Sequence, residues 1–297
     1  MLLNKGIPLS YILNNVKYDL LYALGVSLSV HLISETYKEL LPEIPLSIPA
    51  FIGTSISILL SFKISQSYER WWEARKIWGS IVNDSRTFVI QLNSFIEKDN
   101  EIIIKKIAFR QIAWCYCLGQ SLRGLDPIEN LDNFISADEI EEIKQHNNKA
   151  LAILSFHSKD IKELKEQNKL DIFSQIQIDK TLLRLCESQG KSERIKTTVF
   201  PVTYRLFLHG IIYLFVVILS LSFRNILWYF EIPLFIFILA PFFLLEKSAT
   251  HMQDPFENRE TDTAMTAIAR TIEINIKQLL KETDIPKTHQ PEKFHLL

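Results

Sequence analysis

One stretch, residues 47–79, limits what this chain can fold into more than any other. It opens without charged residues and then, from Lys63 onward, carries six charged side chains among three tryptophans. No proline or glycine lies between Gly53 and Gly79. At about 1.5 Å rise per residue, a continuous helix of this length exceeds the roughly 30 Å hydrocarbon layer of a bilayer. The stretch therefore predicts one helix that leaves a membrane and continues into water.

The rest of the chain separates apolar from charged residues in the same way. Hydrophobic residues make up 47% of the chain and charged residues 23%, but the average hides four apolar runs. These runs lie at 20–33, 46–62, 206–223 and 226–245. The pattern predicts an all-α membrane protein with four transmembrane helices and a large helical cytosolic domain.

The predicted boundaries follow from this segregation. A lead-in helix at 1–17 and the first two transmembrane helices occupy 1–62, and the helical cytosolic domain occupies 63–205. The third and fourth transmembrane helices occupy 206–246, and a cytosolic segment with a polar tail occupies 247–297. The first apolar run is marginal in length for a full span, so its flanking residues are expected at the membrane interfaces.

The distribution of charge predicts the orientation in the membrane. Basic residues follow the second span and precede the third, whereas the loop between the first two spans carries three glutamates against one lysine. Because cytoplasmic loops are enriched in Lys and Arg, residues 63–205 are predicted to be cytoplasmic. Both termini then lie on the same side, as in a multi-pass protein of the cell (inner) membrane.

No enzyme or nucleic-acid-binding protein is indicated. The formal net charge is −1 without a basic tract, which gives no reason to invoke nucleic acid. No Gly-rich phosphate loop, nucleophile elbow or catalytic carboxylate–His spacing occurs. Cys115, Cys117 and Cys186 make no disulfide framework, and we interpret them as small buried hydrophobes in a reducing cytosol. No cofactor is expected.

The cytosolic domain is predicted to be helical, because its apolar residues recur at three- and four-residue spacing. The segments are 81–96, 102–118, 137–156 and 172–189, and a last amphipathic helix is predicted at 263–280. Ser136 followed by Glu139 predicts a capping-box start. His146 and His157 are too far apart for one helical metal site, and each is interpreted as a solvated or core residue.

Two stripes of residues run along the second span. Small residues recur every four positions from Gly53 to Ser61, which lets helices approach closely in lipid. Thr54, Ile58 and Phe62 recur at the same spacing on an adjacent face. Taken alone, both stripes favour packing against neighbouring helices. If several copies of the helix surround an axis, however, one stripe must face it, and apolar rings can gate ions by dewetting.

Ionisable residues also occur close to the ends of the spans. His209 and Glu231 lie near or within membrane helices, where a functional role is one interpretation. A position at the interface is the other, and it is the preferred interpretation for His31.

Several motifs resemble those of bestrophins. Residues 62–63, 68–76 (YERWWEARK) and 78–79 are similar to the signature after the second transmembrane helix of that family. Matching pieces follow in order at 189–190 (QG), 192–195 (SERI), Pro201, 254–256 (DPF) and Asp262. The resemblance covers nearly the whole chain and is to a prokaryotic member of the family.

The resemblance implies a homopentameric ion channel whose second helix, from each protomer, lines a central pore. In bestrophins a hydrophobic neck is formed by residues four apart that end on the Phe before the basic signature. Here these residues are Thr54, Ile58 and Phe62, so the resemblance favours the pore over simple packing for this stripe. Thr54 replaces the usual bulky apolar residue, which predicts a wider and wetter outer ring.

The resemblance also implies a second constriction, the cytosolic aperture, at the start of the helix that carries the 189–195 motif. Counting back from Gln189 places this aperture on Phe173, with Ile172 or Ile176 as alternatives in register. The tryptophans and arginines of the 68–79 signature are predicted to hold protomer junctions together, through cation–π and charge-assisted contacts.

Eukaryotic bestrophins bind Ca²⁺ through an acidic clasp after the fourth span. Asp254 and Asp262 fall on clasp positions here, but Arg259 replaces a clasp carboxylate and Glu257 replaces the usual glycine. Because a guanidinium repels a cation, no Ca²⁺ gating of the eukaryotic kind is expected and no metal site is assigned. The acidic stretch is interpreted as helix capping and pairing between protomers.

The leading hypothesis is passive conduction of small monovalent ions, chloride and other anions first. The weakly positive edge of Phe62 gives mild support for anions, and no ring of basic residues is evident along the neck. Two alternatives are a monovalent-cation (sodium) channel of the same fold and a non-conducting membrane scaffold or sensor. The expected partners are further copies of the chain in a homopentamer, the lipid bilayer, and permeant chloride or sodium.

Overall fold

The computed structural model describes residues 8–37, 39–40, 42–198, 201–226 and 228–291, and these residues contain helices and no strands. The helices are α1 (Leu9–Thr36), α2 (Ser47–Phe95), α3 (Glu101–Arg123), α4 (Ala137–Lys144), α5 (Lys149–Glu166), α6 (Ile172–Thr197), α7 (Val202–Phe223), α8 (Trp228–Gln253) and α9 (Met265–Leu279). Short 3₁₀ helices occur at Lys98–Asn100 and Leu131–Asn133. The predicted all-α class is confirmed.

The chain divides into two compact units. The first, which we call the aqueous unit, contains Trp71–Thr198 and the described residues after Gln253. The second, the membrane unit, contains the described residues up to Arg70 and those between Thr198 and Asp254. Helix α2 contributes residues to both units, as the opening stretch of the sequence predicts.

The membrane unit contains four helices that are long and apolar enough to cross a bilayer, counted over the described residues. They are α1, α2, α7 and α8. Helix α1 packs against α7 and α8, and α7 packs against α8. Ser27 of α1 and Ser220 of α7, both buried, are joined by a hydroxyl–hydroxyl hydrogen bond of 3.0 Å. The prediction of four transmembrane helices is confirmed.

The first helix differs from the prediction at its N-terminal end. Residues from Leu9 to Thr36 form one helix instead of a separate lead-in helix and a short span; residues 1–7 lie outside the described part of the chain. The buried face continues through the predicted boundary, since Val16, Leu20 and Ala23 are all enclosed. Their spacing of four and three residues keeps them on one side of a helix, so no break is favoured between 17 and 20.

The aqueous unit is built around α3, which packs against α5, α6 and α9. Trp78 of α2 and Trp114 of α3 are fully enclosed in its core. A side chain on Gly119 would meet Trp78 at 3.5 Å and Met265 at 3.6 Å. These are ordinary van der Waals distances, so α3 packs directly against Trp78 and Met265 at this position.

The cysteines follow the predicted interpretation only in part. Cys115 and Cys117 are free thiols buried in the core, and burial raises the pKa of each to about 12. Cys186 is exposed, so its assignment as a buried hydrophobe is wrong. The side of α6 that faces the core carries Leu182 and Leu185. Cys186, the residue after Leu185, projects from a different side of the helix.

The helix predicted at 137–156 is two helices, α4 and α5, separated at 145–148. The break comes from capping: Asn148 accepts a hydrogen bond from the backbone N–H of Leu151 at 2.9 Å and so begins α5. Asn favours such a cap over a helix interior. At the start of α4, Ser136 accepts from the N–H of Glu139 as predicted, at 3.4 Å.

The carboxylate of Glu139 completes a buried ion network instead of the capping box. It accepts hydrogen bonds from Arg110, whose guanidinium also binds Asp160. Burial alone would lower the pKa of Arg110, but its hydrogen bonds and charge contacts with these two carboxylates raise it. The network keeps a guanidinium that is 1% exposed fully charged inside the unit.

His157 lies in the core beside this network, which agrees with the core alternative predicted for it; His146 is exposed. The His157 ring contacts Phe88 edge-on, with 5.0 Å between ring centroids, and neither ring nitrogen has a hydrogen-bond partner in the structure. Desolvation, and then the charge of Arg110, hold the pKa of His157 well below its ordinary 6.5. The imidazole is therefore neutral in the folded protein.

This burial predicts that stability falls in mild acid. Because the pKa of His157 is depressed in the folded state, the unfolded chain takes up a proton on this residue below about pH 6.5 while the folded chain does not. The contribution of neutral His157 to stability is therefore present above that pH and lost as the pH falls below it. Between pH 7.5 and 5.5, His157 should reduce the free energy of unfolding by about 1.4 kcal/mol. Denaturation of the purified protein at several pH values should show that His157→Phe removes this part of the fall.

The matched control is His146→Gln, which changes an exposed histidine and should leave the pH dependence as in the wild type. A His157→Phe curve parallel to the wild-type curve from pH 7.5 to 5.5 would contradict the account.

Candidate functional site

The three residues predicted for the neck share one open face of α2. In the isolated protomer Ile58 is 55% exposed, Phe62 is 63% exposed, and Thr54 is exposed. The opposite face carries Ile56 and Leu60, which are enclosed in the membrane unit. Such exposure fits both a pore lining and packing against another protomer, so the neck remains a prediction.

Hydroxyl groups along this part of α2 bond back to their own helix. Thr54 Oγ1 donates to the carbonyl of Ala50 at 2.9 Å, and Ser57 Oγ donates to the carbonyl of Gly53 at 2.9 Å. The Thr54 hydroxyl thus donates its one hydrogen bond to its own helix, and it can only accept hydrogen bonds from water. In the predicted neck, Thr54 would therefore offer no free hydrogen-bond donor; the wider outer ring stays a prediction.

Lys63 follows Phe62 directly and points the other way. Its ammonium group, 0% exposed, donates to Glu246 Oε1 at 2.7 Å and to Thr250 Oγ1 at 2.9 Å. His209 Nε2 lies 3.0 Å from the same carboxylate oxygen. Side chains of α2, α7 and α8 therefore meet at one buried carboxylate.

This contact fixes the rotation of α2 about its axis. Neighbouring residues in an α-helix project about 100° apart, so holding Lys63 against α8 turns Phe62 toward the open face. A second consequence is electrostatic. The positive charge nearest the predicted neck is neutralised within its own protomer and does not belong to the exposed stripe.

A second ionisable pair lies in the membrane unit. Glu231 of α8 is 5% exposed, and its Oε2 atom is 3.4 Å from Nδ1 of His31 on α1. Together with the His209–Glu246 contact, this shows that both ionisable residues predicted near the span ends have partners on other helices. Neither pairing can be predicted from the sequence, because each joins residues far apart in the chain.

The three candidates for the aperture lie at the start of α6, Ile172 and Phe173 in its first turn and Ile176 just after it. Phe173 is 78% exposed, Ile172 55% and Ile176 46%, so Phe173 projects furthest into solvent in the isolated protomer. Asp171 caps the helix and accepts from the backbone N–H groups of Phe173 at 2.8 Å and Ser174 at 3.1 Å. Hydrogen bonds from Ser174 and then Phe173 lower the pKa of the Asp171 carboxyl, which is therefore ionised at neutral pH.

The 189–195 motif anchors this same helix. Gln189, 2% exposed, accepts from Trp114 Nε1 at 3.3 Å and donates to Asn148 Oδ1 at 3.1 Å and Glu193 Oε1 at 2.8 Å. Asn148 also donates to Glu193 Oε1 at 2.8 Å. One amide therefore ties α6 to α3 and to the cap of α5, and it sets where the first turn of α6 lies.

Several residues of the 68–79 signature make contacts within the aqueous unit, which begins at Trp71. Trp71 Nε1 donates to the carbonyl of Thr261 at 3.2 Å, and Glu73 pairs with Arg194 at 3.0 Å. Trp78 is enclosed within its own protomer, so its predicted place at a protomer junction is wrong. Its side chain belongs to the hydrophobic core of the aqueous unit and lies against Gly119 of α3. For the other signature residues the junction remains a prediction.

The acidic segment after α8 closes on itself. Asp262, 1% exposed, accepts from the backbone N–H groups of Glu257 at 2.7 Å and Arg259 at 3.0 Å. Asn258 lies between them in the left-handed region, with φ 63°. Burial raises the pKa of the Asp262 carboxyl, and the hydrogen bonds from Arg259 and Glu257 oppose this rise. One clasp-like carboxylate therefore caps a turn.

The other acidic residues of this segment do not join Asp262. Asp254 is half-buried, and Glu257 pairs with Lys196 at 2.6 Å. Among the described residues, no group of three or more His, Cys, Asp or Glu side chains is placed to hold a metal ion. Asp262 thus caps a turn and not a helix, and α9 has Ala264 as its N-cap, without a side-chain hydrogen bond. The interpretation as helix capping is therefore wrong for Asp262; pairing between protomers stays a prediction.

Taken together, four helices that are long and apolar enough to span a membrane and a helical aqueous unit define a multi-pass helical membrane protein. A family model described as "Bacterial/Fungal Bestrophin protein" matches residues 6–278. The chain belongs to this bestrophin family.

Curated relatives and solved structures agree with this assignment. The chain is 26% identical over 286 residues to the Voltage-dependent anion channel-forming protein YneE of Escherichia coli (strain K12), covering 96% of this chain and 93% of that one. It is 29% identical over 245 residues to a voltage-dependent anion channel-forming protein of Mesorhizobium japonicum, covering 82% and 78%. A bacterial bestrophin homologue from Klebsiella pneumoniae matches with a TM-score of 0.84 and 27% identity, covering 91% of this chain and 100% of that one. Family and relatives indicate a channel and not an enzyme.

The buried pair beside the neck stripe predicts an asymmetric response to mutation. Lys63→Met leaves the buried Glu246 carboxylate with only His209 and Thr250 as partners and should destabilise the protein, by up to about 3–5 kcal/mol. Adding Glu246→Leu removes both charges and should recover most of that loss. Thermal unfolding of the detergent-purified variants measures both effects.

Lys76→Met provides the control, because Lys76 lies exposed on the same helix and its loss should change stability by less than about 0.5 kcal/mol. If the double variant were no more stable than Lys63→Met alone, the pair would not be the interaction that holds α2.

Proposed function

We propose that this protein is a homopentameric anion channel that conducts chloride and similar small anions passively down their gradient. In this proposal α2 of each protomer lines a central pore, and Thr54, Ile58 and Phe62 form its neck. The observation that carries the proposal is the open face of α2, which bears these three residues in a chain of the bestrophin family.

The physical properties of this face suit a gate. Five copies of Ile58 and Phe62 around an axis would form two apolar rings, and narrow apolar rings exclude water and hence ions until they widen. Lys63 is buried and paired, so a hydrated ion would meet no fixed charge at Phe62. Gating then depends on the width of the rings.

The preference for anions is supported by the relatives. Several are named voltage-dependent anion channel-forming proteins and align along 80% or more of this chain. The edge of the Phe62 ring is weakly positive, which favours an anion slightly over a cation in the neck. The positive-inside distribution of charge further supports insertion in the inner membrane with both termini in the cytoplasm.

A second candidate, a monovalent-cation channel of the same fold, is favoured by one observation. Asp171 places an ionised carboxylate beside Phe173 in every protomer. If Phe173 forms the second constriction of the pore, five such carboxylates would attract cations there. The selectivity of the pore thus depends on which of its two narrow parts dominates.

Shortening the neck side chain should increase conduction. Ile58→Ala removes most of one apolar ring, and a decrease of about 1.4 kcal/mol in the barrier to a hydrated ion corresponds to a tenfold higher rate. We expect the single-channel current or the open probability in planar bilayers to rise several-fold.

Ile56→Ala is the matched control, since the same residue type two positions away is fully buried on the opposite face. It should cost about 2–5 kcal/mol in stability and leave the current of each open channel unchanged. Equal currents from the wild type and Ile58→Ala would argue against the neck.

A further inference from the structure

The open face of α2 continues past the predicted neck and carries a carboxylate there. A helix turns about 100° per residue, so Glu69, seven residues after Phe62, lies about 20° short of two full turns from it. Viewed along the axis, Glu69 therefore projects between Ile58 and Phe62, and it lies about 10 Å beyond Phe62. All three residues are exposed in the isolated protomer. The first carboxylate after the neck thus shares the face of the neck residues.

The basic residues of this part of the membrane unit lie on the other side of α2. Lys63 is enclosed and paired with Glu246 at 2.7 Å. Arg70, the next basic residue, projects about 20° short of two full turns from Lys63, and its Nε atom is buried. Ser67, between them, is 0% exposed and lies on the same enclosed side. Here the positive charges of α2 face the interior of the membrane unit, and the negative charge faces away from it.

The charge of Glu69 is not cancelled within its own protomer. In the part of the chain that the structure describes, no hydrogen bond or ion pair holds its carboxylate. The other two acidic residues of α2 are paired. Glu73 lies 3.0 Å from Arg194, and Asp84 lies 2.7 Å from Arg184. Glu69 is therefore the acidic residue of α2 whose field acts on its surroundings at full strength.

An assembly in which α2 lines a pore would bring the Glu69 carboxylates together, and this step rests on the proposed function. Copies of α2 around an axis would place one carboxylate each in a ring at the cytoplasmic end of the neck. Rings of Asp or Glu favour cations in channels, because they raise the local concentration of positive ions. With a Debye length of about 8 Å at physiological ionic strength, the ring acts on ions at the mouth of the neck.

We propose that Glu69 sets the ion preference at the cytoplasmic mouth of the neck, where its carboxylates attract cations and repel chloride. The ring opposes the preference for anions that the names of the relatives indicate. The channel therefore selects chloride over sodium less strongly than it would with a neutral residue at position 69. Selectivity is thus a balance between the neck and this ring.

The permeability ratio of chloride to sodium, obtained from reversal potentials in planar bilayers, tests this role. Glu69→Gln keeps the shape of the side chain and removes its charge, so the ratio should rise at least about twofold at about 0.1 M salt. At about 1 M salt, where the Debye length falls to about 3 Å, the increase should largely disappear. Glu69→Asp keeps the charge and should keep a ratio close to that of the wild type.

A rescue variant and a control separate the charge on this face from charge elsewhere. Ser65 is exposed on the same face of α2, about one turn nearer to the neck. Ser65→Glu in the Glu69→Gln background should therefore return the permeability ratio toward the wild-type value. Glu141→Gln is the control, because the Glu141 side chain is 70% exposed on α4, a helix that carries none of the residues proposed for the pore. It should leave the ratio unchanged.

Failure of this proposal can be told apart from failure of the proposed function. A conducting protein with the same permeability ratio in the wild type and Glu69→Gln would overturn the role of Glu69 and leave the pore standing. An increase that persists at high salt would also overturn it, because the effect would not be electrostatic. Dissociation of the Glu69→Gln assembly in size-exclusion chromatography would show that Glu69 pairs between protomers instead. The absence of current from the wild type would overturn the pore and the ring together.

Discussion

The ion pair between Lys63 and Glu246 is the contact on which the arrangement of the membrane unit depends. A lysine buried beside lipid-facing helices persists only when a carboxylate neutralises it, and Glu246 does so at 2.7 Å. The pair sets the rotation of α2, so that the enclosed face carries Ile56 and the open face carries Ile58 and Phe62. It also removes the one nearby positive charge from that open face. Rotation and electrostatics of the proposed neck thus have a single cause.

A buried polar contact has the same role in the aqueous unit. Gln189 joins α6 to Trp114 and to the Asn148 cap, and α6 carries Phe173 on its first turn. The residues proposed to meet ions are exposed and make few contacts of their own, so their positions are set by buried neighbours. Because unsatisfied buried polar groups are costly, such networks specify one arrangement of the helices. The residues that would meet ions therefore differ from the residues that position them. The family motifs at 68–79 and 189–195 consist largely of residues of the second kind.

Sequence patterns were sufficient for features that depend on local spacing. Apolar runs located the four spans, and the four-residue repeat placed Thr54, Ile58 and Phe62 on one face. Features that depend on tertiary contacts were missed. Lys63 and Glu246 are 183 positions apart, and the start of α5 at Asn148 requires a cap that periodicity does not show. The junction prediction fails for Trp78 because nothing in the sequence shows that Gly119 of α3 lies against its ring.

The central claim is that α2 lines a pore for anions, and reversal potential tests it most directly. Purified protein in planar bilayers or liposomes would be given opposed chloride and sodium gradients. The account predicts a current that reverses near the chloride equilibrium potential. A reversal near the sodium potential would contradict the anion assignment and give Asp171 the greater influence. The absence of any current from correctly inserted protein would contradict conduction itself and favour a membrane scaffold or sensor.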